Sequence, residues 1–340
     1  MKRLLLLPLL LVPFSLSAQK PDSFLKDLDG LFQRRSDLNY ASSDTTYIGR
    51  YDYRFDARLF YRTSGLHLCT EGLGNSQLST GLQNKIGIGL AYRGVGLAYS
   101  IGLGDNTRRS LSLGLDGYGK HFGFEWSYNG SKGLTGSFEI PGWEPIQAGK
   151  GTLMLMANTL NLFYIFNPRF SYSAAMKQQA IQRRSAGSFI AGINWSVWDI
   201  VTLPEGFNLR ENFIPELYKN NYLCDRISIG AGYGYNLVLG RQHWLLHASL
   251  VPMWTVYDAT VLRKDWEKTR VARYFRLGFT TTARTGVYYR WGDRWSIGCS
   301  GVINQMSSHR RNVGVDGTTY PRLRFGSQHW QTNLSLGYRF

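Results

Sequence analysis

The feature that most constrains this chain is a period of two, repeated along most of its length. From Lys85 onward, Ile86, Ile88, Leu90 and Tyr92 alternate with Gly87, Gly89 and Ala91. After Arg93-Gly94 the pattern resumes, with Val95, Leu97, Tyr99, Ile101 and Leu103 alternating with Gly96, Ala98, Ser100 and Gly102. Successive side chains on a strand point to opposite faces, so each run has one apolar face and one small or polar face. A two-residue glycine turn between such runs predicts a hairpin. The same alternation sets Tyr51, Tyr53, Phe55, Ala57, Leu59 and Tyr61 against Asp52, Arg54, Asp56 and Arg58. It sets Phe122, Phe124, Trp126 and Tyr128 against Gly123, Glu125 and Ser127. It also sets Ile227, Ile229, Ala231, Tyr233 and Tyr235 against Ser228, Gly230, Gly232 and Gly234.

A soluble sandwich also alternates, with its apolar face turned inward. Three features favour the inverted solution, with the apolar face turned to lipid. Aromatic residues cluster at strand ends beside turns, as at Tyr92, Tyr289, Trp291, Trp295, Tyr338 and Phe340, which suits an interfacial girdle. The opposite face is Gly, Ser, Asn and charge, which suits a polar lumen. The runs are about 9–13 residues long, as tilted transmembrane strands require. The composition agrees: 38 Gly stand beside 10 Trp, 21 Tyr and 18 Phe in 340 residues. At 43% hydrophobic residues the chain is not disordered, and no apolar run approaches the length of a membrane-spanning helix.

The N-terminus places the chain outside the cytoplasm. Lys2 and Arg3 precede an apolar run from Leu4 to Phe14, and Ser15-Leu16-Ser17-Ala18-Gln19 follows. This is a secretory signal peptide over residues 1–18, cut after Ala18, with Ser17 the alternative. Its removal takes two charges from the formal +16. Residues 19–46 form a periplasmic segment in which Phe24, Leu25, Leu28, Leu31 and Phe32 have the spacing of a short amphipathic helix. This helix lies at the barrel's entrance, or partly plugs the lumen. Cys69, Cys224 and Cys299 are too few, and wrongly spaced, for a disulfide framework or a zinc site, although Cys69 and Cys224 could pair.

The barrel is expected over residues 47–340. Thirteen strands are read: 50–62, 83–92, 95–103, 110–118, 121–129, 152–166, 169–181, 186–198, 225–238, 241–254, 271–290, 295–306 and 328–340. An even number is required, with both ends periplasmic. Counted from either terminus the short turns agree, so the mismatch falls between about Ser171 and Cys224. Twelve and fourteen strands both fit, and twelve is preferred. The outward loops are then 63–81, 130–151, 258–269 and 307–327, with 199–224 a candidate fifth. In the last strand Trp330, Leu334, Leu336, Tyr338 and Phe340 share one face. Leu336, Tyr338 and the terminal Phe340 resemble the C-terminal signal that the barrel-assembly machinery of Gram-negative bacteria reads.

Several segments carry a family resemblance. They are Asp44-Thr45-Thr46-Tyr47-Ile48, the Lys85–Leu103 hairpin, Phe166-Asn167-Pro168-Arg169-Phe170-Ser171-Tyr172-Ser173-Ala174-Ala175, Gln182-Arg183-Arg184-Ser185-Ala186-Gly187-Ser188 and Gly230-Ala231-Gly232-Tyr233-Gly234-Tyr235-Asn236. Over roughly residues 45–340 the chain resembles the Bacteroidetes-type outer-membrane family known as domain of unknown function 4421. The resemblance implies an outer-membrane barrel and brings no activity and no functional residues.

Catalysis would need a nucleophile with a base, or paired acids. His247 and Ser249 lie on one strand face, about 7 Å apart, and form a conceivable hydrolytic pair. They are equally ordinary polar lumen residues. His243 and His247 are about 13 Å apart on a strand and cannot share a metal. No catalytic residue, metal site or cofactor is assigned. The charge is more informative. Arg54, Arg58, Lys177, Arg276, Arg284, Arg290 and Arg339, with Glu125, are the expected pore-lining residues, and cations outnumber acids among them. A cationic wall favours anions, unless internal ion pairs merely satisfy one another. The expected protein is a non-catalytic outer-membrane barrel, either a small anion-preferring channel or a structural envelope protein. Its partners would be outer-membrane lipid, lipopolysaccharide, the barrel-assembly machinery and small anionic solutes, and not nucleic acid. The alternatives are a lipid hydrolase or acyltransferase sited at lumen or rim, and a surface-loop adhesion protein.

Overall fold

The computed structural model describes residues 26–27, 29–34, 37, 44–72, 75–104, 109–139, 146–202, 221–264, 267–273, 278–315 and 318–340. The expected signal peptide and Arg276 lie outside them, as do Phe24, Leu25 and Leu28 of the N-terminal helix. The strands in chain order are β1 (Ile48–Arg50), β2 (Phe55–Glu71), β3 (Ser76–Ser79), β4 (Gln83–Tyr92), β5 (Val95–Gly102), β6 (Ser110–Tyr118), β7 (Phe122–Phe138) and β8 (Ile146–Ile165). They continue with β9 (Ala180–Gln182), β10 (Ala186–Thr202), β11 (Asn221–Leu239), β12 (Trp244–Lys264), β13 (Glu267–Arg273), β14 (Gly278–Trp291), β15 (Trp295–Val315) and β16 (Thr318–Arg339).

Twelve of these form the wall. Each pairs antiparallel with its neighbours in the order β11-β10-β8-β7-β6-β5-β4-β2-β16-β15-β14-β12, and β12 returns to β11 to close the ring. First and last strands meet side by side, with Asp56 opposite Arg339 and Phe340 exchanging backbone hydrogen bonds with Phe55 at 3.0 and 3.1 Å. The strand count is therefore twelve and not fourteen. The surplus strand expected at 169–181 is no wall strand: only its end, at β9, is extended, and β9 pairs outside the barrel sheet. Ser171 caps a six-residue helix, Tyr172–Lys177, by accepting from the Ala174 amide at 3.1 Å, and Gln178 ends it in the left-handed region at φ 52°. The Ala-Ala-Met-Lys run favours helix once the segment has no lipid face to supply, so local propensity overrides the apparent alternation.

Four short connections, 93–94, 119–121, 240–243 and 292–294, fall at one end with the longer 166–185 and the meeting of Phe55 with Phe340; this is the end expected to be periplasmic. At 93–94 both Arg93 (φ 46°) and Gly94 (φ 86°) are left-handed, the geometry of a tight hairpin turn that follows strand twist. The opposite end also differs from expectation. The stretches 63–81, 130–151, 258–269 and 307–327 are largely strand, because β2, β7, β8, β12, β15 and β16 run for 17 to 22 residues, well past the bilayer. Above the short β4, β5 and β6 the wall is completed by β3, which pairs with both β2 and β7.

The exterior is apolar. Leu59, Ile86, Ile88, Leu90, Leu97, Tyr99, Ile101, Phe189, Ile193, Ile229, Leu250, Ile303, Leu334 and Leu336 all project outward and are exposed. A closed barrel satisfies its wall's backbone groups internally and shows hydrocarbon outside, which is what a lipid bilayer demands. A ladder of rings marks the periplasmic rim: Tyr92–Phe55 at 4.8 Å, Phe55–Phe340 at 5.5 Å, Phe340–Tyr338 at 6.3 Å, Tyr338–Trp295 at 4.7 Å, Trp295–Trp291 at 5.9 Å, Trp291–Tyr289 at 6.2 Å and Tyr289–Trp244 at 4.8 Å. The aromatic girdle read from the sequence is therefore one continuous belt around half the rim. No helix among the described residues is long and apolar enough to cross a membrane.

Candidate functional site

The site is the lumen, and its contents come from the chain itself. The connection 166–185 turns inward, and its β9 pairs with β1 in a separate two-stranded sheet, Ile48 opposite Gln182 and Arg50 opposite Ala180. Residues 47–50 thus do not begin the wall. They join helix Tyr172–Lys177 in a plug at the periplasmic half. Tyr172, Ala174 and Ala175 are fully buried against Phe163, Ile190, Leu245, Val251 and Tyr288 of the wall. The described part of the N-terminal helix meets the barrel at the rim, where Phe32 packs edge-on to Tyr92 at 5.8 Å. Asp29 receives hydrogen bonds from the Tyr92 hydroxyl and from Arg93 Nε (2.9 Å), so the helix sits beneath the 93–94 turn.

Polar contacts pin the plug to the wall. Asn236 Nδ2 donates to the Ser171 carbonyl at 2.9 Å and to Gln182 Oε1 at 3.1 Å. Gln182 Nε2 donates to the carbonyls of Arg169 and Arg184, both at 2.8 Å, while its Oε1 accepts from the Ser171 amide at 2.9 Å. Arg58 donates to the Lys177 carbonyl, and Arg339 Nη2 donates to the Gln178 carbonyl at 2.6 Å. Arg284, on β14, donates to the Tyr172 hydroxyl at 2.7 Å and to Glu125 Oε2 at 2.6 Å, with Glu125 also accepting from Tyr118. The helix's exposed carbonyl end is thereby met by cations, as its orphan acceptors and dipole require.

The lumen acids are each matched. Asp56 lies between Arg58 (3.1 Å) and Arg339 (3.6 Å), Asp116 meets Lys177 at 2.6 Å, Glu125 meets Arg284, and Asp258 meets Arg226 at 2.9 Å. So Arg58, Glu125, Lys177, Arg284 and Arg339 come together on the interior, as ion pairs against the plug. Arg290 lies at the rim beside the Tyr51 ring (5.9 Å). Arg54 is exposed just before β2 and faces a periplasmic vestibule. Sequence reasoning missed Asn236 and Gln182, the residues that hold the plug, and Arg62 and Lys85 higher in the lumen. The Gly-Tyr-Gly-Tyr-Asn segment was a visible signal for Asn236. Gln182 opened another family segment, Gln182–Ser188, between two stretches read as strand, and carried no further mark.

The outer half of the lumen was expected to be polar and is not. Leu66 and Leu68 of β2, Leu78 of β3, Leu134 of β7, Leu153 and Leu155 of β8, Ile200 of β10, Tyr222 and Cys224 of β11, Met306 of β15 and Phe325 of β16 form one buried cluster. These strands lie all around the ring, so the cluster is an apolar septum across the mouth. Arg226 is threaded through it, its guanidinium 4.2 Å from the Phe325 ring and bonded to Asp258. The reason is geometric. Where strands overshoot the bilayer, the inner face must pack a core, as in a soluble protein. Cys69, Cys224 and Cys299 are all unpaired.

His247 and Ser249 do meet. Ser249 Oγ is 3.0 Å from His247 Nε2, and His247 Nδ1 is 2.8 Å from Asn236 Oδ1. Because Asn236 Nδ2 has two acceptors, its oxygen faces the ring, so Nδ1 carries the proton and Nε2 accepts from Ser249. These are the relationships of a nucleophile, its base and an orienting amide. Yet His247 is buried between the rings of Tyr172 (5.6 Å) and Phe170 (6.1 Å), and neither of the lumen cavities described below reaches Ser249. As placed, the trio fastens the plug. No group of three or more metal-ligating side chains occurs among the described residues.

Comparison with known proteins gives a family and a set of distant barrels. The family model described as "Domain of unknown function (DUF4421)" matches residues 42–340. No curated protein matches the sequence. Among solved structures, the COG4313 outer membrane channel from Pseudomonas putida F1 is similar at 10% identity and a TM-score of 0.36, over 86% of this chain and 98% of that one. The Pseudomonas putida toluene transporter TodX is similar at 10% identity and a TM-score of 0.30, over 84% and 90%. The transport unit of the Escherichia coli autotransporter AIDA-I gives 10% and 0.35, over 91% and 97%.

Proposed function

Because the chain belongs to the DUF4421 family, which carries no assigned activity, we propose from its geometry that it is an outer-membrane barrel protein with a closed lumen, serving the envelope as a structural element. The observation that carries this is the double seal. A hydrogen-bonded plug fills the periplasmic half and an apolar septum spans the outer mouth. A barrel of twelve strands is narrow enough for side chains and one connection to fill it. The apolar exterior and its aromatic belt support residence in lipid, and the leader-like residues 1–18 support export. Lipopolysaccharide at the outer leaflet and the barrel-assembly machinery are its expected partners.

The test is conductance in planar bilayers. The full chain is expected to give no steady conductance. Open channels at rest would overturn the reading. A second reading, the anion-preferring channel, rests on Arg62, Lys85 and Arg290, lumen and rim cations that are in no ion pair among the described residues. It requires channel openings whose reversal potential favours chloride. The hydrolase reading requires that a fluorophosphonate probe label Ser249.

A further inference from the structure

Beside the plug helix lies a partly open cavity of about 90 Å³, a chamber lined by polar and apolar side chains alike. Its wall includes Arg58 and Arg62 of β2, Asp116 of β6, Ser300 of β15, Asn333 and Ser335 of β16, and Lys177 of the plug helix. The two carboxylates that face it, Asp56 and Asp116, are each taken by another cation: Asp56 by Arg58 and Arg339, Asp116 by Lys177. Arg62 is left over. Its Nε donates to Asn333 Oδ1 at 2.6 Å, and among the described residues it has no carboxylate partner. Its register partner on the next strand is Lys85, which is 3% exposed and bonded only to the Ser112 hydroxyl at 2.8 Å. A buried cation and a half-buried one side by side, with no carboxylate partner among the described residues, are a costly arrangement, since a buried charge is ordinarily paired. Beside them, Ser100 Oγ and Ser110 Oγ are buried and lack any hydrogen-bond partner.

A second cavity adjoins the chamber. A vestibule of about 280 Å³ opens at the periplasmic rim, lined by Arg50, Arg54, Arg93 and Arg339 with Asp52. Asp56, Ala91 and Gln179 line both spaces, so only a thin partition separates them. Gln179 Oε1 in that partition is buried without a partner. Toward the outside, the septum blocks the path.

We propose that this chamber is a binding site for one small oxyanion, entered from the periplasmic side and closed toward the cell exterior. Arg62 is its charged anchor. The guanidinium presents a planar donor edge to an oxyanion, while Asn333 holds Nε and fixes that edge. Ser335 on the adjacent β16 and Ser300 on β15 beyond it supply neutral hydroxyls beside Arg62, and Lys85 adds field without contact. A site of this kind needs no conduction, so it is independent of whether the barrel ever opens. It rests on the expectation that the 93–94 end is periplasmic.

The test uses the full chain, refolded in detergent and checked for its folded form, with inorganic phosphate as probe. Saturable binding by titration calorimetry is expected, with thermal stability rising with phosphate concentration. Arg62→Gln should weaken binding at least about tenfold, as loss of a charged donor does. Asn333→Ala, which keeps the charge, should weaken it less, and serves if Arg62→Gln does not fold. Arg294→Gln, at the exposed rim, should leave binding unchanged. Absence of saturable binding to the wild-type chain overturns the proposal. So does equal weakening by Arg294→Gln, which would mark a general surface effect. Bilayer conductance reports on the closed-lumen reading separately, since it is measured without phosphate.

Discussion

Asn236 and Ser171 join the barrel wall to its plug: the side-chain amide of Asn236 donates to the backbone carbonyl of Ser171 at 2.9 Å, and Ser171 is the cap of the plug helix. One wall residue thus holds the first turn of the element that fills the lumen. The same amide bonds to Gln182, which in turn binds both ends of the 169–184 connection.

Replacing Asn236 by Leu should therefore loosen the plug without opening the wall. The Ser171 carbonyl, Gln182 Oε1 and His247 Nδ1 would all lose a buried partner, at about 1–3 kcal/mol for each group left unsatisfied. Lys177 lies inside the lumen, so tryptic cleavage after it reports release of the plug. Cleavage should be faster in Asn236→Leu than in the wild type. Equal rates, with the variant folded, would mean that the contacts from Arg58, Arg284 and Arg339 suffice to hold the plug.

Glu125 and Arg284 make the strongest single test of the interior ion pairs. Arg284 is 3% exposed and Glu125 19%. Glu125→Gln strands a buried guanidinium, which costs about 3–5 kcal/mol when one partner of such a pair is removed. Adding Arg284→Met should recover much of the loss, because replacement of the whole pair by an apolar residue is close to neutral. Urea unfolding in detergent measures both. A single variant as stable as the wild type would show that water already reaches this pair.

Much of the wall was legible because its period is set by lipid on one side. Ile86, Ile88 and Leu90 must face hydrocarbon, so their spacing cannot drift, and turns such as Arg93-Gly94 carry their own backbone signature. The plug was not legible, since Phe170, Ser171, Tyr172 and Ser173 alternate like a strand and nothing local says that the segment turns inward. The septum was hidden for a different reason. Leu66, Leu134 and Phe325 come from stretches that resemble loops, and only closure of the ring brings them into one core. Arg58, Glu125, Arg284 and Arg339 share the inward parity of their strands, but their pairing depends on which strands become neighbours, and Lys177 reaches Asp116 from the plug helix, which no strand parity describes. Arg62 and Lys85 lie on the same faces, yet their lack of an acid emerges only from three-dimensional placement.

The N-terminal helix should detach on acidification. Hydrogen bonding from the Tyr92 hydroxyl, and next from Arg93, holds the Asp29 carboxyl below its ordinary value, and Arg50 does the same for Asp37. A group whose folded value is depressed contributes stability above the unfolded value, about 3.9 for Asp, and loses it as pH falls through the lower folded one. Docking should thus persist at neutral pH and fail below about pH 3.9. Asp29→Asn should weaken docking at neutral pH. Quenching between a fluorophore near residue 30 and a label at Lys120, on another periplasmic turn, follows it. A signal unchanged down to pH 2 in the wild type would show that these carboxylates do not hold the helix.

Phe340 separates assembly from stability. Its backbone closes the ring against Phe55, while its side chain is 54% exposed and stacks on the Phe55 ring at the rim. Phe340→Ala keeps both backbone bonds and removes a ring that contacts mainly lipid, so the folded barrel should lose little, within about 1 kcal/mol for an exposed position. If the alternate apolar residues ending at Phe340 form a signal read during insertion, the cost appears elsewhere. Refolding in detergent should then proceed as in the wild type, while the amount of folded barrel reaching the membrane in cells falls several-fold. Leu336→Ser should act the same way, since Leu336 also faces outward. Equal loss in detergent and in cells would assign Phe340 to ring closure alone, and normal amounts in cells would remove the assembly signal.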